Sequence, residues 1–125
     1  MKRMLGLVLA VALAGCGQEA PPPSAHGKSV GEWVRALQGP DARLRQRAAR
    51  TLGNAGASDP AVVPALAGAL RDRDAGVRGE AALALMKIGP AAREAVPALT
   101  EARKDRDARV RTYAAGALEK VQDGP

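Results

Sequence analysis

The sequence predicts an all-α protein, a short solenoid of three stacked helix pairs. The chain of 125 residues repeats itself every 33 residues, and residues 62–89 align without a gap with residues 95–122, with 16 identities in 28 positions. Apolar residues in each repeat recur at three- and four-residue spacing, as in amphipathic helices, and no alternating strand pattern is present. A period of this length is typical of a repeat array, in which each unit buries its apolar face against its neighbour.

Residues 1–15 have the features of an export signal. Residues 1–3 are Met-Lys-Arg, and the apolar run that follows, residues 4–14, is too short to cross a ~30 Å hydrocarbon core as a helix. Residues 13–16, Leu-Ala-Gly-Cys, resemble the lipobox of bacterial lipoproteins. This resemblance implies that the signal peptide is removed and that Cys16 is lipidated and becomes the first mature residue.

The lipobox resemblance predicts an exported protein that is tethered to a bacterial membrane and faces the periplasm or the cell surface. A lone cysteine in an exported chain has no disulfide partner, and lipidation accounts for it. Stable anchoring needs more than one acyl chain. Neither Gly17 nor Gln18 is the aspartate that retains some bacterial lipoproteins in the inner membrane, which favours the outer membrane.

Residues 16–28 are predicted to be a flexible linker. Three consecutive prolines, residues 21–23, favour an extended conformation that holds the following domain away from the membrane. The single histidine, His26, falls in this linker and is not expected to bind a metal. Loss of Lys2 and Arg3 with the signal leaves 17 basic and 13 acidic side chains, a formal charge of +4. This excess permits attraction to anionic partners without requiring it.

Each repeat is predicted to form a helix, a short turn and a second helix. Pro64 falls in the first turn of a leading helix, where a missing N–H costs least. Asp74 is placed to cap the second helix, and Gly89 followed by Pro90 ends it. The predicted domain comprises residues 29–122, in units of about 29–56, 62–89 and 95–122.

The three units, over roughly residues 29–122, resemble HEAT repeats of the short bacterial type called phycobilisome-lyase HEAT-like. The resemblance is carried by proline and leucine in the first helix, Asp-x-Asp-Ala in the turn, and Val-Arg, Ala-Ala and Ala-Leu in the second helix. In the second unit these residues are Pro64, Leu66, Asp72, Asp74, Val77, Arg78, Ala81, Ala82, Ala84 and Leu85. The resemblance implies a right-handed superhelix in which the second helices line the concave side.

The same resemblance implies a ladder of hydrogen bonds between turn aspartates and helix arginines of consecutive repeats. Its members in this chain would be Asp72, Arg78, Asp105 and Arg111. The first unit has Gly39 where the ladder aspartate is expected, which predicts weaker coupling between the first and second units.

Binding specificity is expected where the repeats differ, at exposed positions of the second helices. The positions predicted to be buried are 44, 48, 52, 77, 81, 85, 110, 114 and 118. The candidate binding surface consists of Arg43, Arg47, Arg50, Glu80, Leu83, Lys87, Arg109, Tyr113 and Lys120. The arginines of this set in the first unit, Arg43, Arg47 and Arg50, lie on one helix face. Such a stripe is most often simply solvated. Glu80 is an isolated acid, and Tyr113 offers contact area with a polar tip. Trp33 aligns with core leucines and is predicted to close the N-terminal end of the stack.

The predicted domain contains no cysteine and no histidine, so the usual nucleophile and metal-ligand patterns are absent. One tryptophan and one tyrosine provide no stacking platform for nucleic acid. We therefore predict a non-catalytic, membrane-tethered scaffold for protein–protein interaction at the bacterial cell envelope. It would bind an unidentified protein partner and carry no cofactor or metal, apart from the lipid on Cys16.

Two alternatives remain open. Some relatives with these repeats are lyase subunits that attach bilin pigments to proteins, and the resemblance therefore implies a lyase-type or lyase-assisting role. That role needs a pocket and a pigment in the same compartment, and export argues against it. Attraction to anionic envelope polymers is the second alternative, and it would weaken steeply with added salt.

Overall fold

A computed structural model describes residues 27–123, and within this range it contains helices and no strand. The six α-helices are α1 (Val30–Ala36), α2 (Ala42–Ala55), α3 (Val62–Ala69), α4 (Ala75–Ile88), α5 (Val96–Ala102) and α6 (Ala108–Gln122). Two 3-10 segments, Gly56–Ser58 and Gly89–Ala95, connect one helix pair to the next. The prediction of an all-α solenoid built from three helix pairs is confirmed.

Part of the sequence-based interpretation lies outside the described residues. This applies to the signal peptide, to the lipidated Cys16 and to His26. None of the helices in residues 27–123 has the length and apolar character that a membrane span requires.

The long helices α2, α4 and α6 each begin at an aspartate whose carboxylate accepts a backbone N–H of the first turn. The N–H of Val77 donates to Asp74 at 3.0 Å, and Asp41 and Asp107 cap α2 and α6 in the same way. A carboxylate at this place satisfies a free backbone donor and complements the helix dipole. Helix α4 ends at Gly89, which has a φ of 75° that glycine adopts without steric penalty. The predicted cap and helix end are both confirmed.

The apolar core lies between the layer of second helices and the layer of first helices. Helix α4 packs against both α2 and α6, so the second helices form a continuous layer. Leu52 and Leu85 from this layer and Leu66 and Leu99 from the other are fully buried. Each buried leucine contributes roughly 1.5–3 kcal/mol through the removal of apolar surface from water.

Eight of the nine positions predicted to be buried in the second helices are buried. The exception is Leu44, which is half-buried. Its equivalents Val77 and Val110 are buried and lie in helices that pack against the second helix of the preceding repeat, whereas no repeat precedes the first unit in the described part of the chain. The one-sided packing of the first unit explains why Leu44 keeps exposed surface.

Helices α2 and α4 approach most closely at Gly53. A Cβ atom placed on Gly53 would lie 2.7 Å from the Cβ and 2.8 Å from the Cα of Ala84. Carbon atoms do not approach each other this closely, so glycine at position 53 is required for the observed spacing. The second helices also carry many buried alanines, whose small side chains allow neighbouring helices of this layer to approach closely along its length.

Candidate functional site

Two buried ion pairs connect consecutive repeats. Arg45 donates from Nε and Nη2 to the two carboxylate oxygens of Asp72, at 2.9 and 3.1 Å. Arg78 donates in the same way to Asp105, at 2.8 and 3.1 Å. Each arginine also donates from Nη1 to a carbonyl oxygen six residues earlier. Arg45 donates to the carbonyl oxygen of Gly39 and Arg78 to that of Asp72, both at 2.8 Å. Arg45 and Arg78 are only 3% and 6% exposed, so these pairs belong to the interior of the stack.

These ion pairs connect consecutive repeats, as the resemblance implies, and Asp72, Arg78 and Asp105 take part in them, but the set of arginines differs. Each arginine reaches the aspartate of the following repeat, so Asp72 pairs with Arg45, and Arg78 pairs with Asp105. Arg45 was not among the expected members. Arg111, which was, has no carboxylate partner among residues 27–123, and its Nη1 donates to the carbonyl oxygen of Asp105.

The expectation of weaker coupling at the first unit is wrong. The first and second units are joined by the same bidentate pair as the second and third. Gly39 occupies the ladder position that would accept an arginine from a preceding repeat, and its carbonyl oxygen still anchors Arg45. Glycine at this position therefore leaves the contact with the second unit intact.

The ladder carboxylates titrate at lower pH than an ordinary aspartate. Burial by itself would raise the pKa of Asp72 and of Asp105. Hydrogen bonds from the arginine partner and from the backbone N–H two residues later outweigh burial and lower the pKa of both groups. Both carboxylates therefore stay ionised to a lower pH than an ordinary aspartate and lose their charge only in stronger acid.

We expect the fold to lose stability in acid. A carboxyl group whose pKa is lower in the folded protein than in the unfolded chain stabilises the fold above the unfolded pKa, about 3.9 for aspartate. That contribution disappears as the pH falls through the folded pKa. Urea unfolding followed by circular dichroism should give a free energy of unfolding that falls with pH below about pH 4.

The Asp105→Asn variant should show a smaller acid dependence than the unmodified protein, because one of the depressed carboxyl groups is absent. Asp123→Asn, at an exposed position near the end of α6, is the matched control and should keep the full dependence. An unchanged acid dependence in Asp105→Asn would contradict the assignment of this stability to the ladder.

A groove of about 790 Å³ crosses the layer formed by α2, α4 and α6. Its apolar surface comes mainly from Leu83, Met86 and Ile88 of α4. Its charged groups are Arg50, Glu80, Lys87 and Lys120. Backbone and small side chains complete the lining: Gly53, Ala84, Gly89 and Pro90.

The charges in this groove are only partly compensated. Arg50 Nη2 lies 2.6 Å from Glu80 Oε2, which neutralises one cation. Lys87 donates to the uncharged side-chain oxygen of Asn54 at 2.7 Å. Neither Lys87 nor Lys120 forms an ion pair within residues 27–123. The groove thus combines an apolar floor with two lysines that are available to an anionic ligand.

The family model described as HEAT repeats matches residues 32–122. The chain belongs to the HEAT-repeat family. A chain in the solved structure of the complex of CpcE and CpcF of phycocyanin lyase from Nostoc sp. PCC7120 is similar to it, with 33% sequence identity and a TM-score of 0.70. The match covers 83% of this chain and 41% of that chain, so this HEAT-repeat protein spans less than half the length of the lyase chain. The curated proteins contain no match.

These similarities correct the prediction that the chain is not an enzyme. That prediction is wrong, because the chain resembles part of a lyase both in sequence and in structure. The prediction rested on the lack of histidine and cysteine in the predicted domain. That lack argues only against catalysis by the familiar nucleophiles and metal ligands. The chain is a HEAT-like, lyase-related protein.

Five of the nine residues of the candidate surface line the large groove of this HEAT-repeat protein: Arg50, Glu80, Leu83, Lys87 and Lys120. Glu80 is not an isolated acid, because it pairs with Arg50 across neighbouring repeats. Leu83 is half-buried and forms part of the groove floor.

Arg109 and Tyr113 line a smaller adjoining cavity of about 140 Å³, which shares Glu80 and Leu83 with the large groove. The ring of Tyr113 packs against Gly79, where a Cβ atom would lie 3.5 Å from Tyr113 Cδ2. Tyr113 is therefore half-buried and makes a contact between repeats.

Arg43 and Arg47 line neither cavity. Arg43 is exposed at the start of α2, and its backbone N–H donates to Asp41. The guanidinium of Arg47 lies 5.6 Å from the ring centroid of Trp33, a cation–π distance. Trp33 is buried in the core cluster. Arg43, Arg47 and Arg50 thus do not act as one stripe, since of these three only Arg50 faces the groove.

The sequence interpretation missed Met86 and the apolar role of Ile88 in the groove. One signal could have found Met86, because the three repeats have Gly53, Met86 and Glu119 at this position. A position that differs so strongly between repeats is a candidate for a role specific to one repeat, such as the groove contact of Met86. The described residues contain no group of three or more histidine, cysteine, aspartate or glutamate side chains arranged to hold a metal ion.

Proposed function

We propose that this protein is a lyase-type or lyase-assisting HEAT-repeat protein whose large groove holds a bilin pigment. The observation that carries the proposal is the similarity to a chain of a phycocyanin lyase complex, at 33% identity over 83% of this chain. The HEAT-repeat family match covers residues 32–122 and so includes every residue that lines the groove.

The groove has the size and chemistry for an open-chain tetrapyrrole. Its volume of about 790 Å³ lies within the range of small-molecule sites, about 300–1,000 Å³. A bilin has a long apolar conjugated body and two propionate groups. Leu83, Met86 and Ile88 would pack against the conjugated body, and the thioether of methionine adapts well to an aromatic surface. Lys87 and Lys120 would each bind a propionate through a charge-assisted hydrogen bond.

Glu80 offers a further contact. Its carboxylate accepts hydrogen bonds from Arg50 Nη2 at 2.6 Å and Nε at 3.4 Å, and carboxylate oxygens have capacity for additional donors. The pyrrole N–H groups of a bilin are such donors. In this proposal the chain binds and orients the pigment and shields one of its faces from water. The acceptor protein supplies the group to which the pigment is joined.

Titration of the purified protein with biliverdin should produce a saturable change in the pigment's visible absorbance. We expect Lys87→Gln and Lys120→Gln each to weaken binding about five- to tenfold, since each removes one charge-assisted hydrogen bond. Lys104→Gln is the matched control, because Lys104 is exposed and does not line the groove. Absence of a spectral change would overturn the proposal, and equal losses in all three variants would overturn the assignment of the groove.

We also propose that the mature chain is tethered to a membrane through a lipid on Cys16, with residues 16–28 as the spacer. The support is the complete match of residues 13–16 to the lipobox pattern. Mass spectrometry of membrane fractions should detect an acylated cysteine at the new N-terminus. An unmodified full-length chain in the soluble fraction would contradict the tether. The proposed pigment binding would then take place in the compartment where the chain is made.

A further inference from the structure

The small cavity of about 140 Å³ continues the large groove toward the start of α4. The two share Glu80 and Leu83, and the small cavity also includes Gly76 in the first turn of this helix. Its walls come from all three second helices: Gln46 of α2, Glu80 and Leu83 of α4, and Arg109 and Tyr113 of α6. A ligand that lies along α4 in the groove can therefore reach the small cavity with one end.

Two glycines that are specific to the second unit create the space of the small cavity. The other two units have arginine at the position of Gly76, and glutamine or threonine at the position of Gly79. A Cβ atom on Gly76 would lie 2.5 Å from Gln46 Nε2, and one on Gly79 would lie 3.5 Å from Tyr113 Cδ2, so longer side chains would fill the cavity. Glycine also weakens a helix interior. The frame shared by the repeats does not require these glycines, and what they provide is the cavity.

The polar groups of the small cavity complement a group that carries a carbonyl next to an N–H. Tyr113 is half-buried, and its hydroxyl forms no hydrogen bond within residues 27–123. The guanidinium of Arg109 lies 3.4 Å from Asp107, and its side chain is 70% exposed, so it keeps donors for a ligand. Glu80 lines the same cavity and supplies carboxylate oxygens as acceptors. Two donors and one acceptor around a small space suit a cyclic amide, that is, a lactam.

We propose that the small cavity binds one terminal lactam ring of the pigment, with the Tyr113 hydroxyl as the hydrogen-bond donor to the ring carbonyl. This inference rests on the proposed binding of a bilin in the large groove. Each terminal ring of a bilin is a lactam, with its carbonyl and its N–H on neighbouring atoms. Arg109 supplies a second donor to the carbonyl oxygen, and Glu80 accepts the ring N–H. The volume of about 140 Å³ admits one five-membered ring with its substituents and no more of the pigment.

The lysines of the groove determine how the pigment lies. The two propionates are carried by the central rings, so a terminal ring lies beyond them at either end. The helical rise of about 1.5 Å per residue places Gly79 roughly 12 Å from Lys87 along α4. That separation suits a propionate bound by Lys87 and a terminal ring at Gly79, with Leu83 beneath the bridge between the rings. The pigment thus lies along α4, with one terminal ring near the start of the helix.

Infrared difference spectroscopy of the full chain with bound biliverdin tests the placement of the ring. Tyr113→Phe keeps the aromatic ring against Gly79 and removes only the hydroxyl. We expect the lactam carbonyl stretch of the bound pigment to move to higher frequency, because a hydrogen bond is lost, and the affinity to fall about threefold to tenfold. Thr112→Val is the matched control, because it removes a hydroxyl from an exposed neighbour that lines neither cavity, and it should change neither quantity.

The dimethyl ester of biliverdin separates the ring contact from the propionate contacts. This ester keeps both terminal lactam rings and lacks the two carboxylates. Tyr113→Phe should weaken its binding by the same factor as the binding of biliverdin. Lys87→Gln should weaken only the binding of biliverdin, since the ester offers the lysine no carboxylate.

A carbonyl stretch that Tyr113→Phe leaves unchanged would overturn this inference, and so would a loss of affinity seen with biliverdin but not with its dimethyl ester. In both cases the unmodified protein still binds biliverdin, and the proposed function stands. If the unmodified protein gives no absorbance change with biliverdin, the proposed function fails and this inference fails with it. Circular dichroism of Tyr113→Phe shows whether the fold is retained, which we expect because the ring still packs against Gly79.

Discussion

Replacing Asp105 by alanine is expected to lower the free energy of unfolding by about 3–5 kcal/mol, because it leaves the buried guanidinium of Arg78 without its carboxylate. Arg78 would keep only its bond to the carbonyl oxygen of Asp72. The backbone N–H of Asp107, which donates to Asp105 at 2.8 Å, would also lose its acceptor. Both losses fall on the contact between the second and third units, so we expect α5 and α6 to unfold first.

Urea unfolding followed by circular dichroism measures this effect. The control is Glu119→Ala, an exposed position on α6, which should change the free energy of unfolding by no more than about 0.5 kcal/mol. Replacing both Arg78 and Asp105 by leucine should recover part of the loss, since an apolar pair leaves no unpaired buried charge. A loss below about 1 kcal/mol in Asp105→Ala would show that the buried pair is not a major contributor to stability.

Gly53→Ala is expected to lower the free energy of unfolding by about 1–3 kcal/mol, although alanine is the better helix former. The added Cβ would lie 2.8 Å from the Cα of Ala84, and a backbone atom cannot move aside as a flexible side chain can. Helices α2 and α4 would have to separate. Because Gly53 and Ala84 also line the groove, the separation would widen the groove as well.

Gly68→Ala is the matched control. Gly68 lies inside α3, and a Cβ atom placed on it would have no other atom within 4 Å. The same chemical change should therefore stabilise the protein there by up to about 1 kcal/mol through helix propensity. If Gly53→Ala proves as stable as Gly68→Ala, the close approach of α2 and α4 does not constrain the stack.

The helices and their ends could be predicted because their signals are local. The N-cap carboxylate of Asp74 and the glycine at position 89 act within one helical turn, so a short stretch of sequence contains the whole interaction. The one misplaced core position, Leu44, depends on whether a neighbouring repeat covers it. Helix periodicity carries no information about such one-sided packing.

The ladder shows where local reasoning ends. The repeated aspartates and arginines identified most of its members, but the period is the same whether an arginine pairs within its own repeat or with the next one. The observed separation of 27 residues between Arg78 and Asp105 follows from how the units stack. The contact between Arg50 and Glu80, 30 residues apart, has the same origin.

The sequence interpretation gave too little weight to the resemblance to lyase subunits. The absence of familiar nucleophiles argued against an enzyme, whereas the similarity to a solved lyase chain overturns that prediction. What supports a bilin site is the placement of Lys87 and Lys120 at the edge of an apolar groove. These lysines are one 33-residue period apart, so the repeat already places them at equivalent positions of neighbouring second helices. The apolar groove between them is seen only in the tertiary structure.

The sequence by itself determined the all-α class, the three helix pairs, the caps and the HEAT-type pattern, because these depend on hydrogen bonds and apolar contacts within one turn or one repeat. Only the tertiary structure decided which arginine meets which aspartate and which charges remain uncompensated in the groove. Those properties depend on the offset between neighbouring repeats, and that offset is set by close packing at positions such as Gly53 and Ala84.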